Sequence, residues 1–327
     1  MKNKEESVKC REGINVLSLC DGMSCGHIAL DRAGIRVNKY FAAEIKDIGI
    51  KVTKQNYPDT IHIGNVNKIT YKNGVLHTEM GSFEIDIDLV IFGSPCQSFS
   101  IAMKTDMRVG IKDKERSGLF LECHRILSEV RSKYYLMENV ASMSQNDKNF
   151  ISNLMGVHPQ EVNADKVSPE LRKRLFWTNL KPKSKIEEKD IQLNNILLDG
   201  WSDRTKARSL LVSDSRPLKT PVKMFHRYYS TGFTTLIFKS EEHYLKCVEE
   251  YQSIGKGKQR LTAKELDDYK GNIFNGVRYL YQEELELCQC VPVGYTKCLT
   301  RNEAADILGD GWNIDVITYF FREINIF

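Results

Sequence analysis

Short apolar runs recur along the first 180 residues, each followed by a turn of small or polar residues and then a stretch with helical spacing. Asn15 to Leu19 predicts a strand, Asp21 to Gly26 a small-residue turn, and His27 to Ala33 a helix. Lys39 to Ala43 predicts a second strand ending at Glu44, and a third lies before Asn65. Asp88 to Phe92 predicts a fourth, broken by Gly93-Ser94-Pro95, and Tyr134 to Met137 a fifth, ending at Glu138. Strands alternating with helices imply an α/β fold with a doubly wound, mostly parallel sheet. From about 181 to 277 the pattern dissolves into polar, lysine-rich sequence, where a smaller domain of irregular and short-strand structure is expected. Gln282 to Cys290 then predicts a helix, and the apolar run Ile314 to Phe321 is placed to rejoin the first core. The expected organisation is a first unit over 1–180, an insertion over 181–277 and a return over 278–327.

Composition changes this picture little. The chain has 327 residues, 41% hydrophobic and 28% charged, with no apolar run long enough to span a bilayer. The amino-terminal stretch is polar and lacks the apolar segment of a secretory signal, so a cytoplasmic location is the expectation. Nine scattered cysteines argue against a disulfide framework, and Cys288-Gln289-Cys290 lacks the spacing of a zinc site, so no structural metal is expected.

Charge changes it more. Between Arg204 and Lys239 eight lysines and arginines stand against one acid, with Phe225, Tyr228, Tyr229 and Phe233 among them. Such a run is commonly a solvated face, but basic residues mixed with aromatics and hydroxyls also suit a phosphate backbone and splayed bases.

Candidate chemistry gathers where strands end, which in open α/β sheets is where ligands bind. Cys96 follows Pro95 just past the fourth strand. A buried structural thiol is one reading and a reactive one the other, and the position favours the second. The turn Asp21 to Gly26 offers backbone N–H groups and a helix start, and Glu44 could accept from ribose hydroxyls or simply be a surface acid. Glu138 could be held where burial raises its pKa. Arg172 and Arg174 alternate in an extended segment and so point to one face.

Taken in order, these pieces resemble the DNA (cytosine-5) methyltransferases. The resemblance rests on Ser18 to Gly26 (SLCDGMSCG), Glu44, Gly93 to Ser100 (GSPCQSFS), Glu138-Asn139-Val140 and Arg172-Lys173-Arg174. It continues past the variable stretch in Arg278 to Pro292 (RYLYQEELELCQCVP) and Gly309 to Ile317 (GDGWNIDVI). It covers the whole chain except about 181 to 277. Val167 to Leu180 and the closing Trp-x-x-x-Val-Ile pattern look most like the catalytic core of the animal de novo branch, and a bacterial or phage source is expected.

The resemblance implies a Rossmann-like, S-adenosylmethionine-dependent fold with an inserted target-recognition domain, and transfer of methyl to carbon 5 of cytosine in double-stranded DNA. It implies that Cys96 attacks a flipped-out base, that Glu138 hydrogen-bonds or protonates ring N3, and that Asn139 fixes the loop. Arg174 would stabilise the base carbonyl, with Arg172 in support. For the cofactor it implies Leu19, Cys20, Asp21, Gly22, Met23, Ser24, Gly26, Glu44, Ile45, Asn65 and Val66. Ser94, Pro95, Leu119, Trp312, Asn313 and Ile314 complete that set. Asn65 stands where an acid is usual and Cys20 where an aromatic is common. The basic stretch becomes target recognition, with Arg227, Ser230, Thr231, Thr234 and Thr235, together with Ser98, as candidate DNA contacts. Family behaviour allows a monomer or dimer, and a cognate restriction endonuclease as partner. A related branch acts on transfer RNA but carries Cys-Phe-Thr after its Glu-Asn-Val element, where Ala141-Ser142-Met143 stands here. A non-catalytic DNA-binding module would be expected to lack Cys96, Glu138 or Arg174.

Overall fold

A computed structural model describes residues 13–94, 119–211 and 218–325. Its centre is a seven-stranded sheet. Strands β1 (Ile14–Leu19) and β2 (Val37–Ala43) are joined through α1 (Cys25–Arg32), and β3 (Ile61–His62) follows α2 (Asp47–Asn56). A three-stranded meander of β4 (Thr70–Lys72), β5 (Val75–Thr78) and β6 (Gly81–Glu84) precedes β7 (Leu89–Phe92). Helix α3 (Leu119–Val130) leads to β8 (Tyr134–Val140), and α4 (Gln145–Met155) to β9 (Gln160–Asn163). Then come β10 (Glu170–Leu171), β11 (Lys173–Thr178) and β12 (Ala207–Arg208).

The sheet order is β3-β2-β1-β7-β8-β11-β9. The first five strands run parallel, and β11 is antiparallel to both β8 and β9. Alternation along each strand splits its side chains between two apolar layers. Val16, Leu89, Ile91 and Leu136 face one layer, whereas Leu17, Leu19, Val90, Phe92 and Met137 face the other. Both faces are therefore covered, which is why these strands read as unbroken apolar runs. Helix α10 (Ile314–Phe321), after α8 (Gln282–Cys288) and α9 (Arg301–Asp310), packs into the first layer against α1, as its apolar run implied.

The stretch expected to be irregular is so, among the described residues, only before residue 221. It holds α5 (Pro221–Thr231), α6 (Glu241–Gly255) and α7 (Ala263–Asp268). Their signals are local: Pro221 at the helix start, the Ser240 hydroxyl accepting from His243 N, and a Thr262–Glu265 capping box. Their buried residues are spaced for helices, Phe225 with Tyr228 and Cys247 with Tyr251, but the many charges between them hide the period. Phe225, Phe238, Tyr251 and Phe274 centre a separate apolar cluster. Leu193, Ala207 and Leu210 belong instead to the main core, so the segment just after 180 packs with the sheet rather than with the helices.

Candidate active site

Strand register builds the site. Leu19 lies opposite Ala43 on one side and Phe92 on the other, and Phe92 lies opposite Met137. The residues that follow these four, Cys20, Glu44, Gly93 and Glu138, are thereby brought side by side at one edge of the sheet. They open on a cleft of about 510 Å³.

At one end Asp21 turns inward. Its carboxylate accepts from Tyr40 Oη at 2.8 Å and from the Ser24 hydroxyl, and burial pushes its pKa up. Glu44 is held by backbone alone: Oε2 accepts from Gly22 N at 2.7 Å, and Oε1 from Ile45 N and Lys46 N at 2.8 and 2.7 Å. Burial raises its pKa, opposed by those same amides. The turn depends on close backbone approach, since Gly22 has a φ of 64° and a Cβ on Gly49 of α2 would lie 2.3 Å from Gly22 O. Lys46 and Asp310 join across the cleft in an ion pair of 2.5 Å.

At the other end stands Glu138, 9% exposed. Arg174 Nε is 2.9 Å from Oε1, and Trp312 Nε1 donates to Oε2 at 3.1 Å. Burial raises the Glu138 pKa, opposed chiefly by the Arg174 and Arg172 charges. Asn139 Nδ2 lies 3.3 Å from both Ser94 O and Ser94 Oγ, tying β8 to the residue two before Cys96. Arg172, 3% exposed, donates to Gly309 O at 2.8 Å and Gly311 O at 2.6 Å. The alternation of Arg172 and Arg174 does bring both into the cleft, but for different work.

Of the residues expected around a cofactor, Cys20, Asp21, Gly22, Glu44, Ile45, Asn65, Val66, Ser94, Leu119 and Trp312 line the cleft. Leu19, Met23, Ser24, Gly26, Asn313 and Ile314 do not line it and stand behind its wall. Leu19, Met23 and Ile314 are core residues, Gly26 lets Ile91 and Tyr40 approach α1, and Ser24 holds Asp21. Asn313 caps α10 and donates to Cys288 O. Asn65 spends its side-chain oxygen on Asn67 N. Pro95, Cys96 and Ser98 lie outside the described residues.

Several lining residues lie outside the expected cofactor set: Lys46, Asn67, Ile307, Gly309, Asp310 and Gly311. The small-residue spacing Gly309-Asp310-Gly311 was a usable signal for the wall, whereas nothing local marks Lys46. Burial pushes the Cys25 thiol up to about 12, which removes it as a thiolate at neutral pH.

The proposed DNA contacts divide. Arg227, Ser230 and Thr231 lie on α5 at least partly accessible, but Thr234 and Thr235 are buried, 1% and 7% exposed. They are corrected: Thr235 Oγ1 accepts from Arg208 N, inside the fold. The basic run is partly structural too. Lys206 Nζ donates to the carbonyls of Asp165, Ser168 and Ile191, and Arg204 covers the Tyr228 ring and donates to Gly232 O.

Residues 14–325 match the family described as C-5 cytosine-specific DNA methylase. The chain belongs to that family. Among curated methylases, it is 33% identical over 139 residues to the type II methyltransferase M.NlaIV of Neisseria lactamica, covering 41% of this chain and 30% of that one. With the orphan methyltransferase M.SPRI of Bacillus phage SPR it shares 26% over 265 residues, 79% of this chain and 56% of that one. The alignments thus span well under two thirds of these relatives. The methylase fold is matched by a crystal structure of a Spodoptera frugiperda DNMT2 mutant, with a TM-score of 0.58 at 19% identity over 93% of this chain and 97% of that one. No helix among the described residues is long and apolar enough to cross a membrane.

Proposed function

We propose that this methylase-family chain transfers a methyl group to carbon 5 of cytosine in double-stranded DNA. The observation that carries the reading is the meeting, at one sheet edge, of the Glu138–Arg174 pair and Ser94 with a cleft the size of a nucleoside.

The cleft suits S-adenosylmethionine on its own chemistry. Its volume of about 510 Å³ lies in the small-molecule range of about 300–1,000 Å³. Glu44 is fixed by three backbone amides with its carboxylate toward the cleft, ready for ribose hydroxyls. Ile45 is 68% exposed on the cleft wall, an apolar side chain whose exposure a flat ring would relieve. When bound, this cofactor supplies an electrophilic methyl group.

The protein's part begins with Cys96, whose thiolate adds to carbon 6 of the base, a poor electrophile until its ring nitrogen is engaged. Glu138 delivers a proton or hydrogen bond at N3 as the electron pair moves there, and carbon 5 becomes nucleophilic. Arg174 steadies the base carbonyl. After carbon 5 is methylated, a base removes its proton and β-elimination breaks the carbon–sulfur bond, returning Cys96. A stacked cytosine is beyond reach, so the base is flipped out. Residues 181–277 are assigned to target recognition, with Arg227, Ser230 and Thr231 as contacts.

The test is transfer of tritiated methyl from S-adenosylmethionine to duplex DNA and, in parallel, to transfer RNA. Label in DNA cytosine that disappears in Cys96→Ala is the expected result. Label in RNA alone overturns the reading.

A further inference from the structure

The indole of Trp312 stands between two parts of the site. It lines the cofactor cleft and also a small cavity bounded by Glu138, Arg172 and Arg174. Its ring nitrogen donates to Glu138 Oε2 at 3.1 Å, on the oxygen opposite the one Arg174 holds. Its backbone is pinned as well, with Trp312 N donating to Cys25 Sγ at 3.4 Å and the preceding Gly311 carbonyl gripped by Arg172.

Gly93 makes the contact possible. A Cβ there would lie 2.8 Å from Trp312 Nε1, 3.2 Å from Trp312 Cζ2 and 3.3 Å from Glu138 Oε2. Any larger residue at the end of β7 would press the indole off the carboxylate.

We infer that Trp312 is a positioning residue for Glu138: its N–H fixes which carboxyl oxygen faces the base, and Gly93 keeps the space for it. This rests on the function proposed above. One oxygen is committed to a neutral donor and the other to Arg174, so the carboxyl cannot rotate freely between them. A cofactor packed on the indole thereby also stiffens the group that meets N3. Among the described residues, the charged groups facing Glu138 are Arg174 of β11 and Arg172 just before it.

Trp312→Phe keeps an aromatic wall and removes only the donor, and Gly93→Ala displaces the indole by another route. Each should lower kcat for DNA methylation about tenfold or more, with KM for DNA little changed. Because the lost hydrogen bond favoured the ionised carboxyl, each should also move the alkaline limb of the kcat–pH profile upward.

A second readout needs no turnover. The pH dependence of fluorescence attributable to Trp312, taken as wild type minus Trp312→Phe, should titrate, and Glu138→Gln should abolish the titration. A flat difference spectrum overturns the inference even in an active enzyme. So does a pH profile unmoved in both variants, or a loss confined to KM for S-adenosylmethionine with kcat intact, which would make the indole only a wall. A titrating signal in a protein that methylates no DNA would instead uphold the contact and sink the functional reading.

Discussion

Glu138 carries two opposed influences, burial that favours its neutral form and two arginines that favour the charged one, and burial prevails. A carboxyl whose pKa is higher folded than unfolded adds stability below the unfolded value near 4.5, and that stability is lost as pH rises through the raised value. Glu138→Gln mimics the neutral form at every pH. It should therefore melt about 1–3 °C above wild type at pH 7, with the gap closing toward pH 4, as calorimetry would show. The same exchange should abolish activity, so stability and catalysis pull apart at one side chain. A melting point that falls at pH 7 would mean the arginines outweigh burial.

At the scale of elements, the site is made by register and by close approach. The apolar runs could be placed from sequence because strands buried on both faces read that way, and the residue after each run is the one that matters, although β8 itself continues past Glu138 to Val140. Glu44 and Glu138 were legible for that reason, and Arg172 and Arg174 by alternation. What could not be read is which neighbours approach. Lys46 meets Asp310, and Trp312 meets Glu138, across 264 and 174 residues of chain, and no local pattern encodes either contact. The helices of 221–268 were missed because charges dilute their period. Gly49 illustrates approach most sharply. Gly49→Ala would force α2 from the Gly22 turn and slacken the amides on Glu44, costing about 1–3 kcal/mol of stability. Isothermal titration with S-adenosylhomocysteine should show weakened binding in the same variant.

Across the whole molecule the basic run has two jobs. Lys206 satisfies three backbone carbonyls, those of Asp165, Ser168 and Ile191, a role that any charge count on the run would miss. Lys206→Met should lower stability by about 1–3 kcal/mol in urea unfolding. It should leave the salt dependence of DNA affinity unchanged, whereas Arg227→Ala should make that slope shallower by about one.

The grip of Arg172 on Gly309 and Gly311 spans 137 and 139 residues, and Tyr295 Oη reaches back 272 residues to Met23 O. The pocket therefore has its far wall only once the chain through Trp312 is in place. A fragment ending before residue 278 carries Glu44 and Glu138 without that wall, so two pieces split between 277 and 282 should each fail to hold S-adenosylhomocysteine in isothermal titration and regain binding only when mixed.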